Sequence, residues 1–446
     1  MSDFPKDFVW GVSTSSYQIE GAWDEDGKGR SIWDTFSHTP GKIAKGHTGD
    51  EACDHYHRYG EDIALMKELG VSAYRFSTAW ARIFPNGSGK PNRKGRDFYD
   101  KLIDDLLEAG IAPWLCFYHW DLPQALQDKG GWTNRDITHW FTDYAAYTAE
   151  QYGDRVDHFA MLNEPNVVAL LGHLLGIHAP GLQDIAAYAA SVHHLNLAQG
   201  ETLLRLREMN SAWQLGTVLN MQPIHPKNDT EEDAQAAALF DAVWNRNFAD
   251  PLFKGRYPEQ TQGMMDPFIH DGDLDKTQQP LDFFGLNLYS RTLIQSDNSL
   301  LGMGQAPPPE DAELTDMAWE IYPEALFEQL MELKNGYGNP DIYVTENGAA
   351  FPDELRDEEV DDPKRVAFYR DYLLSAQRAL EEGANLKGYF AWTLLDNFEW
   401  AEGYTKRFGL VHVDFKTQER TPKRSFEWFA EVISEGEVPE ENSDEQ

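Results

Sequence analysis

The feature that most constrains this chain is a repeated order: an amphipathic stretch, a glycine that stops it, and a short apolar run. Tyr56, Tyr59, Ile63, Met66 and Leu69 fall three or four apart, the stripe of one helical face, and Gly70 ends it before a strand within Val71 to Ser77. Phe98, Leu102, Leu106 and Ala109 repeat the stripe, Gly110 ends it, and Ala112 to Tyr118 follows. Leu380-Glu381-Glu382-Gly383 leads in the same way to Leu386 to Trp392. A glycine after a helix suits the left-handed cap that turns the chain into a short loop.

Eight strand-like runs can be counted: Phe8 to Val12, Ala73 to Ser77, Ala112 to Tyr118, His158 to Asn163, Leu215 to Asn220, Asp282 to Asn287, Asp341 to Thr345 and Leu386 to Trp392. Most are continuously apolar, as strands buried on both faces must be. Helical patterns separate them. Eight such units predict an α/β fold, a single-domain (β/α)8 barrel over residues 1–434. A doubly wound open sheet is the alternative, but no glycine-rich phosphate loop follows the first run. The chain of 446 residues, 41% hydrophobic and 13% aromatic, is ample for one large core, and no Pro/Gly/Ser-rich linker divides it. Residues 435–446 carry six acidic side chains and are expected to form a solvated, flexible acidic tail. The insert from about Gln295 to Thr315 is expected to be a surface loop.

A barrel puts its chemistry at the C-terminal ends of the strands. Polar and aromatic residues gather there: Gln18, Arg75, His119-Trp120, Asn163-Glu164, Asn220, Asn287 with Tyr289, Glu346, and Trp392. Glu164 and Glu346 each follow an apolar run and are expected to have left the strand for a loop facing a pocket. Two carboxyl groups on separate elements are what glycosidic hydrolysis needs, one to protonate the leaving oxygen and one to attack or to activate water. The competing reading is a strand-end carboxylate that caps the next helix.

The charge excludes other classes. With 75 acidic against 38 basic residues the net charge is −37, which opposes nucleic acid and anionic membranes as partners. Strong self-repulsion at low ionic strength suggests a salt-adapted protein. No apolar stretch approaches membrane-span length, and the first residues lack the basic-then-apolar order of a signal peptide. Cys53 and Cys116 lie far apart inside packed elements and are expected to be buried free thiols. A soluble cytoplasmic protein is expected. The pairs His55/His57 and His193/His194 have poor metal-ligand spacing, so structural roles are expected for these histidines.

The strings together resemble glycoside hydrolase family 1, the retaining β-glycosidases, over nearly the whole length. Phe8-Val9-Trp10-Gly11 and Ser15-Ser16-Tyr17-Gln18-Ile19-Glu20-Gly21 resemble that family's opening. Asp54-His55-Tyr56, Tyr118-His119-Trp120-Asp121-Leu122-Pro123, Asn163-Glu164-Pro165, Thr345-Glu346-Asn347-Gly348 and Asp396-Asn397-Phe398-Glu399-Trp400 follow in order. The resemblance implies a β-glucosidase acting on terminal non-reducing glucosyl units of short β-glucosides such as cellobiose, by double displacement. It implies Glu164 as general acid/base and Glu346 as nucleophile, with Arg75 and Tyr289 supporting the nucleophile's charge. The innermost sugar would be held by Gln18, His119, Trp120, Asn163, Glu399 and Trp400, over an apolar floor at Trp392. Trp319 would be the platform for the aglycone. No metal or organic cofactor is implied. The expected partner is a small β-glycoside or oligosaccharide, with no nucleic acid and no membrane; a homo-oligomer is left open.

Some positions depart from the family pattern. Met161 stands for a common Thr, Leu288 for Tyr or His, Ala318 for Gly, and Asn247 for an aromatic. Asn247 and Leu288 bear on aglycone preference rather than on the reaction. A phosphosugar hydrolase is disfavoured by Glu399, which would repel a 6-phosphate. Both glutamates are present, which disfavours a thioglycosidase and a catalytically dead sugar binder.

Overall fold

Buried runs of Val, Ile, Leu, Phe and Tyr can satisfy their backbones only by pairing, and here they pair into a closed ring. The computed structural model describes residues 3–299 and 301–439. Its eight barrel strands are β1 (Val9–Ser13), β2 (Ala73–Ser77), β3 (Ala112–Tyr118), β4 (His158–Asn163), β5 (Gln214–Asn220), β6 (Phe283–Asn287), β7 (Ile342–Asn347) and β8 (Leu386–Trp392). All neighbours are parallel and consecutive, and β8 closes onto β1. The expected (β/α)8 barrel is therefore present, with strand ends within two residues of those read from the sequence.

The glycine stops behave as their chemistry requires. Gly70, Gly110 and Gly383 adopt φ of 82°, 81° and 85°, the left-handed region in which a side chain would be strained. They follow the helices His55–Leu69, Arg93–Glu108 and Pro363–Glu381.

Two expectations need correction. Glu346 has not left its strand, since β7 runs through Asn347. Register shifts after Val344, against both β6 and β8, mark an irregularity that re-aims this end of the strand. The insert near Gln295 is not merely a loop. Thr292–Ser296 and Met303–Gln305 pair antiparallel and join Ile224–Pro226 in a small three-stranded sheet.

Of the acidic segment 435–446, Glu435 ends the helix Arg424–Glu435 and Gly436 caps it. The Gly436 carbonyl accepts a hydrogen bond from the Phe4 backbone, and Val438 is buried. Residues 440–446 lie outside the described part. Cys53 and Cys116 are buried free thiols. Among the described residues no helix is long and apolar enough to cross a membrane.

Alternation along the strands sends every second residue into the barrel. At its lower end Ala73, Trp114, Cys116, Ala160, Val218, Phe283 and Phe390 form one buried apolar cluster, with Val9 and Tyr343 against it. The Trp114 ring stacks on His158 at 3.9 Å between centroids. The lower barrel is thus filled, and the cavity opens at the other end.

Candidate active site

The cavity at the C-terminal face has a volume of about 640 Å3. His119, Trp120, Glu164, Tyr289, Trp319, Glu346, Trp392, Glu399 and Trp400 all line it. Residues from five strands or the loops after them, separated by hundreds of positions, are thus brought to one site. Gln18, Asn163 and Arg75 stand directly behind, each essentially without solvent exposure.

Glu164 follows β4 with φ of 48° and occupies the N-cap position of the short helix Pro165–Ala169, yet its side chain makes no capping bond. The capping explanation for this residue therefore fails. Its Oε1 instead accepts from Asn287 Nδ2 and Asn220 Nδ2, both at 2.9 Å. Glu346 is held differently. Arg75 Nη1 donates to its Oε1 at 2.7 Å and the Tyr289 hydroxyl to its Oε2 at 2.6 Å. Arg75 Nη2 also donates to Asn163 Oδ1, as does Asn287 Nδ2 at 3.0 Å. Asn287 therefore bridges the two halves, its own carbonyl fixed by the Thr345 hydroxyl at 2.7 Å.

These surroundings separate the two carboxyl groups electrostatically. Burial, and then the negative charge of Glu346, push Glu164 up to about 8, with its amide donors pulling the other way. Burial also leaves Glu346 raised, with the attraction of Arg75 and the bonds from Tyr289 and Arg75 offsetting part of that rise. Burial by itself lowers the pKa of Arg75, but the charge of Glu346, its hydrogen bond and the other nearby acidic groups together outweigh burial, and the pKa is raised. Burial, and then Glu346, hold Tyr289 well above the ordinary phenol, so it stays a donor. The favoured arrangement is an ionised Glu346 paired with Arg75 beside a protonated Glu164. Such an arrangement can serve chemistry that needs a carboxylate and a proton donor side by side.

One wall of the cavity is aromatic. His119 lies nearly parallel to Trp392 and to Trp400, at 5.9 Å from each, and Trp120 meets Trp400 at 4.4 Å. Because Arg75 and Asn287 both donate to Asn163 Oδ1, the Asn163 amide must be the donor to His119 Nε2 at 3.0 Å. This makes Nε2 an acceptor and places the imidazole proton on Nδ1. Burial, then Arg75, hold the imidazole well below its ordinary pKa, so it is neutral. Glu399 is pushed up to about 8 by burial and then by the charges of Glu346 and Glu164. Gln18 is spent on protein: Nε2 reaches Asn397 Oδ1 and the Phe398 carbonyl, both at 3.0 Å, and Glu399 Oε2 at 3.3 Å. It orients the loop that carries Glu399.

Three site residues, Trp120, Glu164 and Trp400, have φ of 77°, 48° and 45°, a region costly for residues with a Cβ. Ala318, next to Trp319, has φ of 59°, where the glycine usual in the family would be unstrained. The sequence reading also missed residues with no local signature. Leu171, Leu174, Leu175 and Ile177 line the cavity, as do Trp244, Met303 and Met317. The first four lie in and beyond a π-turn at Leu170–Leu174, which periodicity could not single out as a wall. Among the described residues no group of three or more His, Cys, Asp and Glu is arranged to hold a metal ion.

Residues 1–438 match the model of Glycosyl hydrolase family 1. The chain is 52% identical to β-glucosidase A of Acetivibrio thermocellus over 439 residues, covering 96% of this chain and 98% of that one. The solved family 1 β-glucosidase from Thermotoga maritima superposes with a TM-score of 0.95 at 45% identity, covering 98% of this chain and 99% of that chain. The same enzyme in complex with glucoimidazole matches with a TM-score of 0.94 at 45% identity, over 97% and 99% of the two chains.

Proposed function

From the premise that this chain belongs to glycosyl hydrolase family 1, and so is a glycoside hydrolase, we propose that it is a retaining β-glucosidase acting on terminal glucosyl units of short β-glucosides, cellobiose among them. The observation that carries the reading is the unequal environment of the two glutamates. Glu346 keeps its charge beside Arg75 and Tyr289, while Glu164 is pushed up to about 8.

In the first step the Glu346 carboxylate attacks the anomeric carbon. The bond from that carbon to the glycosidic oxygen breaks, and the oxygen takes the proton of Glu164. A glycosyl ester on Glu346 remains. Its formation removes the Glu346 charge, the second cause after burial that raises Glu164, so Glu164 gives up its proton more readily. It accepts a proton from water as that water attacks the same carbon, and Glu346 is released. Two displacements keep the β configuration. His119, Trp120, Asn163, Glu399 and Trp400 would hold the glucosyl unit against Trp392, with Gln18 ordering Glu399 and Trp319 meeting the aglycone. The glucoimidazole complex of the Thermotoga maritima enzyme supports a glucose-shaped occupant.

Proton NMR of nitrophenyl β-glucoside hydrolysis tests the reading: β-glucose must appear first and mutarotate later. Initial α-glucose, or no hydrolysis of any β-glucoside in a panel with cellobiose, refutes it.

The net charge of −37 supports a salt-adapted enzyme, and two buried unpaired thiols suit a reducing cytoplasm. Raising KCl from about 0.1 to 3 M shortens the Debye length from ~10 Å to below ~3 Å and should raise the melting temperature. A flat or falling response contradicts salt adaptation.

A further inference from the structure

The loop after β8, which carries Glu399 and Trp400, is closed on itself at its base. The Asp396 backbone donates to the Val411 carbonyl, Leu410 to the Thr393 carbonyl and Val411 to the Leu394 carbonyl, each at 2.9 Å. At Gly409 the two limbs approach so closely that a Cβ would stand 2.1 Å from the Asp396 nitrogen. Between these limbs the chain runs out to the cavity and back, and it holds Trp400 at a φ of 45°. Backbone in that region persists only where its surroundings fix it.

Charge fixes the base. The Asp396 carboxylate is buried and faces the returning limb: Oδ1 accepts from the Gly409 backbone at 2.9 Å and Oδ2 from Arg407 Nη1 at 2.6 Å. Lys423 Nζ, also buried, donates to Asp396 Oδ1 at 2.7 Å and to Asp353 Oδ2 at 2.5 Å. Arg365 pairs with Asp353 at 2.7 Å and with Asp362, and its Nη2 donates to the Arg407 carbonyl at 2.8 Å. Three aspartates thus meet three cations, and together they tie the loop after β8 to the segment after β7. Against burial, the charges of Lys423 and then Arg407 hold Asp396 below the ordinary carboxylate range. A buried set of this kind is a weak source of stability, because desolvating the charges costs about as much as their attraction supplies. What it does supply is direction, since each bond admits one arrangement of the two limbs.

We propose that Asp396 and Lys423 are positioning residues for the reaction and act through Glu399. Their clasp fixes where the Glu399 carboxyl stands in the cavity, although neither side chain lines it. Gln18 holds the same loop from its other side, through Asn397, Phe398 and Glu399 itself. The inference rests on the β-glucosidase reading, in which Glu399 binds the glucosyl unit. A displacement of about 1 Å at such a group can cost about 10^2-fold in rate.

The test is a double-mutant cycle in kcat/KM for nitrophenyl β-glucoside, using Lys423→Met and Glu399→Ala, on protein shown by its melting curve to be folded at the assay temperature. Lys423→Met keeps an unbranched chain and removes the ammonium. Alone it should lower kcat/KM by about 10^2-fold. In the Glu399→Ala background it should cost about twofold or less, because the group through which it acts is gone. A merely structural role predicts equal losses in the two backgrounds, and that result overturns the proposal. An unchanged kcat/KM in Lys423→Met overturns it too. If Lys423→Met does not fold, Arg407→Gln, which removes the other cation from Asp396 at a partly exposed side chain, completes the same cycle. Its loss should be about tenfold in the parent and nearly absent beside Glu399→Ala, and equal losses again overturn the proposal. Failure of the parent to cleave any β-glucoside would instead overturn the underlying reading.

Discussion

The two ends of the barrel are made by the same eight strands and the same inward alternation, yet they are opposite in character. On β2, Ala73 points into the lower cluster, while Arg75, two residues on, meets Glu346 and Asn163. On β3, Trp114 plugs the bottom, and Tyr118 leads to His119 and Trp120 at the cavity. The lower end is neutral, aromatic and closed. The upper end buries the carboxyl groups of Glu164 and Glu346 and the guanidinium of Arg75, and holds three non-glycine site residues at positive φ. The difference teaches that the barrel's stability is invested at one end and its chemistry at the other, within the length of a single strand.

Variants at each end should therefore fail in different ways. Glu346→Gly, at the upper end, should lower kcat by about 10^4-fold or more while the protein stays folded. Added azide should restore turnover and yield the α-glycosyl azide, identified by NMR; a β-azide or substantial residual hydrolysis would contradict the nucleophile assignment. Trp114→Ala, at the lower end, should cost about 3–5 kcal/mol in denaturant unfolding, with kcat of the folded fraction nearly unchanged. If activity falls and stability does not, the division between the ends is wrong.

Glu164→Gln combines both behaviours. Hydrolysis of glucosides with poor leaving groups should drop about 10^2- to 10^4-fold, and that of activated aryl glucosides much less in the first step. Stability should respond in the opposite direction. A carboxyl group raised to about 8 when folded, against 4.5 as its ordinary value, favours folding below about 4.5 and loses that contribution as pH rises through 8. At pH 9 the Gln variant should thus be more stable than the parent by roughly 2 kcal/mol, and indistinguishable at pH 4.5. The parent's kcat/KM should fall on the alkaline side near pH 8; a plateau to pH 10 would argue against Glu164 as the acid. The smallest effect is expected for Tyr289→Phe. Losing one bond to Glu346 should lower kcat about tenfold and shift the acidic limb of the pH profile upward, since the carboxylate then loses a donor. An unmoved acidic limb would mean that Arg75 alone sets the charge of Glu346.

Much of this was legible in the chain before any coordinates. Helix stripes ended by Gly70, Gly110 and Gly383 located three units, because a left-handed cap is a local requirement. Asn163-Glu164 and Thr345-Glu346 marked strand ends, because a run of buried apolar residues stops abruptly at a charge. The reading failed where geometry is not local. Glu346 lies inside β7, re-aimed by irregular pairing with strands whose positions its own string does not encode. Gln18 is expected to hold the sugar, and its amide bonds to Asn397, Phe398 and Glu399, some 380 residues away, are contacts that its own string does not encode. The leucines after β4 carry no motif and matter only through the cavity they face.

The sequence by itself determined the barrel, and it pointed to Glu164 and Glu346 as the carboxyl pair and, by charge, away from nucleic acid. Each follows from residue type, spacing or composition along the chain. Only the tertiary structure decided how those carboxyl groups differ, and what clasps the loop that carries Glu399. A pKa is a sum of burial and of charges brought near by folding, and a buried network joins groups that lie far apart along the chain. Arg75 reaches Glu346 across 271 positions, and that contact, with the bond from Tyr289, helps make two like side chains unlike.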